Sequence, residues 1–275
     1  MLFKGAKKSM NKILAIETST ELLGVSVADD TGILSELTVV QARIHSEMLL
    51  PLCIQALEAA GLTPESVGCF AVSSGPGSFT GLRIGSATVQ GLALALKKPV
   101  VRVPTFEVYL RQCSAYQNIA VVQGRAKGQT VCAIYKKGPG VSGRQSVQPS
   151  KGQGFWNLYG FEQVLPIGAK SYKEFCRDLA AVREPVWITG DAAALFCQNA
   201  PSLGAYDVRP VDEYLLLPRP GIVGLIGRRM FREGDTVEPS LALPEYYRRS
   251  QAEVVFAKKR NEGDTHEESS TGNNQ

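Results

Sequence analysis

The sequence has little histidine: His45 and His266 are the only two in 275 residues. A zinc site of the usual kind needs three or four protein ligands, and two distant histidines do not supply them. The motifs HExxH and GxxxxGK[ST] and the Ser-His-Asp order of hydrolases are missing as well. We therefore predict no metal site and no catalytic residue in this chain.

Long apolar segments are also missing. No run of roughly 18 uncharged apolar residues occurs, so no membrane-spanning helix is expected. The basic segment 1–10 lacks the apolar core of a secretory signal, and we interpret it as a disordered extension. The six cysteines are scattered without a CxxC pair, which favours reduced, buried thiols and a cytoplasmic location. They are Cys53, Cys69, Cys113, Cys132, Cys176 and Cys197.

A net charge of +4 is small for a nucleic-acid binder, although it permits contact with tRNA. The length and the 44% hydrophobic content are sufficient for two lobes. We place the first lobe at 11–104 and the second at 105–250, with a last helix able to pack back on the first lobe. The polar segment 251–275 is predicted to be a disordered tail.

Alternation of apolar runs and turn residues predicts the elements of both lobes. The first predicted helix ends at Gly61, and Pro51 indicates that it starts late or bends. The predicted strands are 13–16, 22–28, 33–40, 69–73, 100–103, 119–123, 130–135 and 186–189. The predicted helices are 47–60, 82–96, one starting near Thr105, 172–182, 192–199 and 220–233.

A glycine-rich turn follows the strand that begins at Cys69. Its glycines allow the backbone to approach a ligand, and the first turn of the next helix presents N–H groups to an anion. The polar turn after the first strand is expected to lie opposite. The candidate anion or nucleotide site is therefore Glu17, Thr18, Ser19, Gly75, Gly77 and Ser78. Alternatively, Thr18 and Ser19 only form hydrogen bonds within their turn.

The two helices that flank this turn are apolar over more than one face. The second of them carries a narrow polar seam of Arg83, Gln90 and Lys97, with small residues between. We predict that both helices bury a second face against a partner chain; burial inside one larger domain is equally favoured. The candidate interface residues are His45, Leu49, Leu52, Cys53, Ala56, Leu82, Gly85, Val89 and Leu92.

Three segments closely resemble the bacterial TsaB (YeaZ) family: ILAIETST from Ile13, HSEMLLP from His45 and SSGPGSFTGLRIG from Ser73. The resemblance is specific from Lys12 to Thr105 and weaker beyond. It implies an α/β protein with the actin-like ATPase (ASKHA, ribonuclease H-like) fold, in which each of two lobes has a mixed sheet flanked by helices.

The resemblance also implies a role. TsaB is the non-catalytic partner of TsaD in making threonylcarbamoyladenosine (t6A) at position 37 of tRNA. The implied partners are a TsaD-like catalytic subunit in a heterodimer and a TsaE-like ATPase, with tRNA contacted indirectly. Without the partner, an exposed apolar helical face would tend to pair with itself, which favours a homodimer. No cofactor is expected to bind firmly, apart from ATP or ADP at the complex.

Two departures distinguish this chain from its relatives. TsaD carries a metal-binding V-N-H-L-E-x-H segment where this chain reads VPTFEVY, so Thr105 and Tyr109 replace the two histidines. Relatives also carry an Asp-Ala-Arg and a Glu near 123–129, of which Arg125 alone remains. Two further hypotheses stay open: an ATPase or kinase acting alone through Glu17, Gly75 and Gly77, and a peptidase, for which no nucleophile or zinc set is present.

Overall fold

The computed structural model describes residues 12–41, 44–126, 129–138, 160–200 and 207–247. The predicted extension at 1–10, the tail at 251–275 and the side chain of Arg125 lie outside these residues. In the described part of the chain, no helix combines the length and the apolar character needed to cross a membrane.

Two five-stranded sheets form the framework. The first has the order β3-β2-β1-β4-β5, in which β1 pairs antiparallel with β2 and parallel with β4. Its strands are β1 (Ile13–Glu17), β2 (Leu22–Asp29), β3 (Gly32–Val40), β4 (Cys69–Gly75) and β5 (Val100–Pro104). The strands β1 and β4 are buried along their whole length, and each begins with a continuous apolar run, at 13–16 and 69–72.

The second sheet repeats this arrangement with the order β8-β7-β6-β9-β10, where β6 pairs antiparallel with β7 and parallel with β9. Its strands are β6 (Asn118–Ala126), β7 (Gln129–Lys137), β8 (Phe161–Ser171), β9 (Val186–Thr189) and β10 (Val208–Pro210). Two mixed sheets of the same strand order, each flanked by helices, confirm the predicted fold class.

Helices cover both faces of the sheets. They are α1 (His45–Ala59), α2 (Phe79–Leu96), α3 (Thr105–Gln112), α4 (Tyr172–Ala181), α5 (Ala193–Asn199) and α6 (Pro220–Arg232). The helices α1 and α2 share one core with the first sheet, and α6 packs on the opposite face of that sheet. Single-turn helices lie at Pro64–Ser66, Glu213–Leu215 and Pro239–Leu241.

The helix α3 belongs to two cores. Its Val108 packs with α6 and the first sheet, whereas Phe106, Tyr109 and Leu110 pack with the second sheet. This helix therefore fixes the two sheets relative to each other, and the lobe boundary after residue 104 stays a prediction.

Several sequence predictions differ from the structure. The helix α2 begins at Phe79 rather than at residue 82. The helix α1 begins at His45 rather than Glu47 and contains Pro51 within its second turn. The strand β6 continues through Gly124, where a loop was expected. The strands β8 and β10 were not predicted. Pro166 and Gly168 lie inside β8, an edge strand that tolerates them, and β10 is only three residues long.

Candidate functional site

The turn between β1 and β2 is held by a buried carboxyl group. The side chain of Glu17 accepts hydrogen bonds from the Ser19 N–H at 2.6 Å and from the Ser73 hydroxyl. Burial raises the pKa of Glu17 to about 7, although the hydrogen bonds from Ser19 and Ser73 act in the opposite direction. The Glu17 carboxyl is therefore a structural group that links the turn to β4.

The glycines after β4 make room for this turn. A Cβ atom on Gly81 would lie 2.1 Å from the Thr18 carbonyl oxygen, and one on Gly85 would lie 2.3 Å from Thr18 Oγ1. A Cβ on Gly77 would lie 2.5 Å from the Ser19 carbonyl oxygen, which also accepts a 2.7 Å hydrogen bond from the Ser78 N–H. The spacing of these glycines thus serves contact between two parts of the same chain.

Gly75 has a different neighbour. Its φ of +117° favours glycine, and a Cβ atom there would lie 2.5 Å from the carbonyl oxygen of Glu245. The Glu245 N–H donates to the Ser74 carbonyl at 2.7 Å, and its carboxylate pairs with Arg102. The segment near the end of the described chain therefore lies directly against the glycine turn.

These contacts involve most of the predicted anion site. The side chains of Glu17, Thr18 and Ser19 are fully buried, and Gly75 is covered by the Glu245 segment. Only Gly77 and Ser78 of the six candidates line the cavity described next. Within the turn the Ser19 N–H donates to Glu17, whereas the hydroxyls of Thr18 and Ser19 have no hydrogen-bond partner among the described residues, so the alternative for these two hydroxyls stays a prediction.

A cavity of about 670 Å³ opens between the two lobes. One wall is made by the N-terminal ends of α1 and α2, and the opposite wall by Gly124, near the end of β6, and by Asp191, which follows β9. On that opposite wall, the Gly124 N–H donates to Asp191 Oδ1 at 2.9 Å. The lining residues are Thr20, Glu21, His45, Ser46, Gly77, Ser78, Thr80, Gly81, Ile84, Gly124 and Asp191.

Most residues that line this cavity are not among the six candidates of the predicted anion site. Thr20 and Glu21 lie one and two residues beyond the predicted polar turn, and Asp191 follows β9 as the glycine turn follows β4. The repeated strand order was the signal that could have found Asp191, because equivalent loops of the two lobes face each other across the cleft.

Comparison with known proteins identifies the family. The family model for TsaD, tRNA N6-adenosine threonylcarbamoyltransferase, matches residues 30–254. The chain belongs to the TsaD family. The curated TsaB protein of Escherichia coli, named a tRNA threonylcarbamoyladenosine biosynthesis protein, is 28% identical over 88% of this chain and 96% of its own length. The TsaB protein of Bacillus subtilis is 23% identical over 89% and 97%.

A solved structure shares the fold. It is described as an uncharacterized protein with similarity to peptidase YeaZ from Pseudomonas aeruginosa, and it aligns with a TM-score of 0.67 over 86% of this chain and 99% of that one, at 24% identity. Together with the full-length TsaB relatives, this confirms the resemblance that the sequence motifs indicated.

The helix α3 lies where the resemblance places the two metal-binding histidines of TsaD. In this member of the family the corresponding residues, Thr105 and Tyr109, are fully buried. Within the described ranges, no group of three or more His, Cys, Asp or Glu side chains could hold a metal ion. Burial raises the pKa of Glu107, on the same helix, to about 8, while Arg229 at 3.9 Å opposes the rise.

Four buried thiols are weak nucleophiles at neutral pH. Burial raises the pKa of Cys53, Cys69, Cys113 and Cys132 to about 12 in each case, so these groups are protonated at neutral pH. All six cysteines are free, and all but the half-buried Cys197 are buried.

The predicted interface residues need correction. Eight of the nine are buried within the chain, and only Leu92 is half-buried. Leu49, Leu52, Cys53, Ala56 and Val89 form the core under the first sheet, because α1 and α2 point their largest apolar arcs inward. These side chains cannot reach a partner without unpacking that core.

A different apolar surface remains on the outer side of the same helices. Leu50 and Ile54 of α1 are each 49% exposed, and Leu94 of α2 is 60% exposed. The exposed small residues of α2 are Ala87, Gly91 and Ala95. We call these six residues the outer helical face.

Proposed function

We propose that this chain is a non-catalytic subunit of the machinery that makes t6A in tRNA and that it supports a TsaD-like catalytic partner. The observation that carries the proposal is the match to TsaB proteins over nearly the whole of both chains. It differs from a match to one shared motif because it includes both lobes.

The chemistry of α3 supports a non-catalytic role. Threonine and tyrosine stand at the two positions where the resemblance expects imidazole ligands, and both side chains are enclosed in the protein. An imidazole pair at i and i+4 is a common way to hold a transition metal, and neither substitute binds such an ion well. In our proposal the metal-dependent transfer therefore belongs to the partner.

The outer helical face is the proposed contact with that partner. A Cβ atom on Gly91 would meet no atom within 4 Å, so the backbone of α2 is open to close approach there. Exposed leucine and isoleucine side chains flank this stripe, and burying such side chains against another chain is favourable by about 25 cal/mol per Å² of apolar surface. A TsaD-like partner would bring its own helices to this surface.

We further propose that tRNA reaches the complex through the catalytic partner, that a TsaE-like ATPase joins the same assembly, and that ATP or ADP binds at the complex. A cytoplasmic location accompanies this role. The modest net charge of +4 supports indirect rather than extensive contact with tRNA.

The test is binding of the TsaD-family transferase from the same organism, with t6A in tRNA as the activity readout. Leu94→Glu should weaken binding at least about tenfold, because a charge would be buried in an apolar contact. Val164→Glu is the matched control, since Val164 is 54% exposed on β8 of the other lobe and should leave binding unchanged.

Two results would contradict the proposal. One is carbamoyl transfer by the isolated chain at the rate of the complex. The other is a Leu94→Glu protein that loses only its homodimer, measured by light scattering, and still binds the transferase as tightly as the natural sequence.

A further inference from the structure

The end of the described chain runs along α2 toward the start of that helix. The Ala242 carbonyl accepts a hydrogen bond from Gln90 Nε2 at 3.3 Å, and the Tyr246 ring stacks on Phe79, the first residue of α2. The segment 239–247 is therefore antiparallel to α2. The described chain ends one residue after this stack, and the sequence continues to residue 275.

The outer helical face lies next to this end of the described chain. The helix α1 packs on β2 and β3, α2 packs on β4, and Val237 bridges to Val100 of the edge strand β5. Across the sheet the order is therefore α1, α2 and the C-terminal segment. A chain that continues from Tyr247 and crosses α2 reaches the exposed side chains of Leu50 and Ile54 on α1.

The surface of α2 offers a shallow path for such a crossing. Ala87, Gly91 and Ala95 are exposed, and a Cβ atom on Gly91 would meet no atom within 4 Å. Residues without a large side chain let another backbone approach a helix closely. The side chain of Leu94, which is 60% exposed, stands beside this path.

The sequence beyond Tyr247 contains one cluster of large apolar residues. It is the run Val-Val-Phe at 254–256, and the basic run Lys-Lys-Arg follows at 258–260. Residues 261–275 contain no large apolar side chain. Such a run is stabilised when it is buried against another apolar surface. We call residues 254–260 the covering segment.

The charges of the covering segment and of α1 are complementary. The helix α1 contains no Lys or Arg, and its exposed side carries the carboxylates of Glu47 and Glu58. The covering segment has three basic residues shortly after its apolar run. Opposite charges near a protein surface attract each other over about one Debye length, which is roughly 10 Å at moderate salt.

The connection to the covering segment is long enough for this crossing. Residues 248–253 separate it from Tyr247 and span up to roughly 20 Å when extended. Because the axes of packed helices lie about 8–10 Å apart, this length crosses α2 and reaches α1.

We infer that the covering segment packs on the outer helical face of its own chain, with its apolar residues against the exposed leucine and isoleucine side chains and its basic residues toward the carboxylates of α1. The segment is then a built-in cover that shields this surface until a partner displaces it. Only the residues beyond 260 stay a disordered tail. The cover does not depend on the partner, whereas its regulatory effect rests on the proposed function.

Thiol labelling tests the cover in the full chain. Ile54→Cys places a thiol on the outer helical face, and the natural thiols, which are buried or half-buried, set the background rate with a maleimide. Adding Phe256→Asp should raise the labelling rate at least about threefold, because only the uncovered fraction reacts and a cover present two thirds of the time leaves one third. Asn273→Asp adds the same charge beyond the covering segment and should leave the rate unchanged.

A second reporter separates the cover from a general loosening of the fold. Val164 is 54% exposed on β8 of the other lobe, so Val164→Cys places a thiol far from the outer helical face. Its labelling rate should not respond to Phe256→Asp. Since the cover lies within one chain, the protection of the Ile54→Cys thiol should also be the same at every protein concentration.

Three results would overturn the inference. One is an unchanged labelling rate of Ile54→Cys when Phe256→Asp is added, and another is an equal acceleration at both reporters. The third is protection that disappears on dilution, which would assign the cover to a second copy of the chain.

Binding of the TsaD-family transferase gives a separate readout. Phe256→Asp should bind it at least about threefold more tightly, because the cover no longer competes for the surface. If the labelling rates respond as expected but the affinity for the transferase does not change, the partner contact of the proposed function is wrong and the cover stands.

Discussion

The contact between Gly85 and Thr18 gives a sharp prediction about stability. Gly85→Ala and Gly91→Ala are identical substitutions in the interior of α2, so both gain the same helix propensity of about 1 kcal/mol. At Gly91 a Cβ atom meets nothing within 4 Å, whereas at Gly85 it would lie 2.3 Å from Thr18 Oγ1. Any difference between the two variants therefore measures packing against the turn.

The size of the difference follows from the cost of overpacking. Forcing an extra methyl group into a packed core costs about 1–3 kcal/mol. Gly91→Ala should raise the free energy of unfolding by about 1 kcal/mol, and Gly85→Ala should lie about 1–3 kcal/mol below it. Urea unfolding at several protein concentrations measures both values and shows whether association contributes.

A double-mutant cycle tests the cause. The Thr18 hydroxyl has no hydrogen-bond partner among the described residues, so its removal leaves no donor stranded. In a Thr18→Ala background the nearest remaining atoms to the new Cβ lie at 3.4 Å, which is near ordinary contact. Gly85→Ala should then cost much less. Equal stabilities of Gly85→Ala and Gly91→Ala in the natural background would refute the packing explanation.

Two other substitutions test the site and the C-terminal segment. Burial raises the pKa of Glu17 in the folded chain from 4.5 to about 7, so the folded chain binds more protons than the unfolded chain between these pH values. The free energy of unfolding should therefore fall as the pH rises from 4.5 to 7. Glu17→Gln should reduce that fall in denaturation curves, and an unchanged pH profile would contradict the assignment. Tyr246 stacks on Phe79 with ring centroids 4.6 Å apart, so Tyr246→Leu should lower the free energy of unfolding by about 1 kcal/mol. The control is Tyr214→Leu, at a residue that is 68% exposed, which should change this free energy by less than about 0.5 kcal/mol. Equal effects of the two substitutions in urea titrations would argue against a role for the stack.

The anion site shows where sequence reasoning reached its limit. Glycines near a helix start are typical of ligand sites, but the same residues are needed wherever two backbones approach closely. Gly77, Gly81 and Gly85 serve the second purpose here, because the turn at Thr18 and Ser19 lies against them. The sequence cannot distinguish the two uses, since the neighbour of a glycine is far away along the chain.

The helices α1 and α2 show the same limit for surfaces. Their apolar content indicated that more than one face is covered, but the choice of Leu49, Leu52 and Val89 as interface residues was wrong. Periodicity gives the relative angle of residues on a helix, while the direction of the sheet is set only by tertiary packing. The outer helical face therefore emerged only with the fold.

The sequence by itself determined the family, the strand and helix order of the first lobe, and the lack of a metal-binding histidine pair on α3, because these depend on local pattern and residue identity. The tertiary structure decided which polar residues are buried, which apolar residues stay exposed, and how His45, Ser46 and Thr80 meet Gly124 and Asp191 in one cavity. These facts depend on contacts between segments far apart in the chain, which no local pattern specifies.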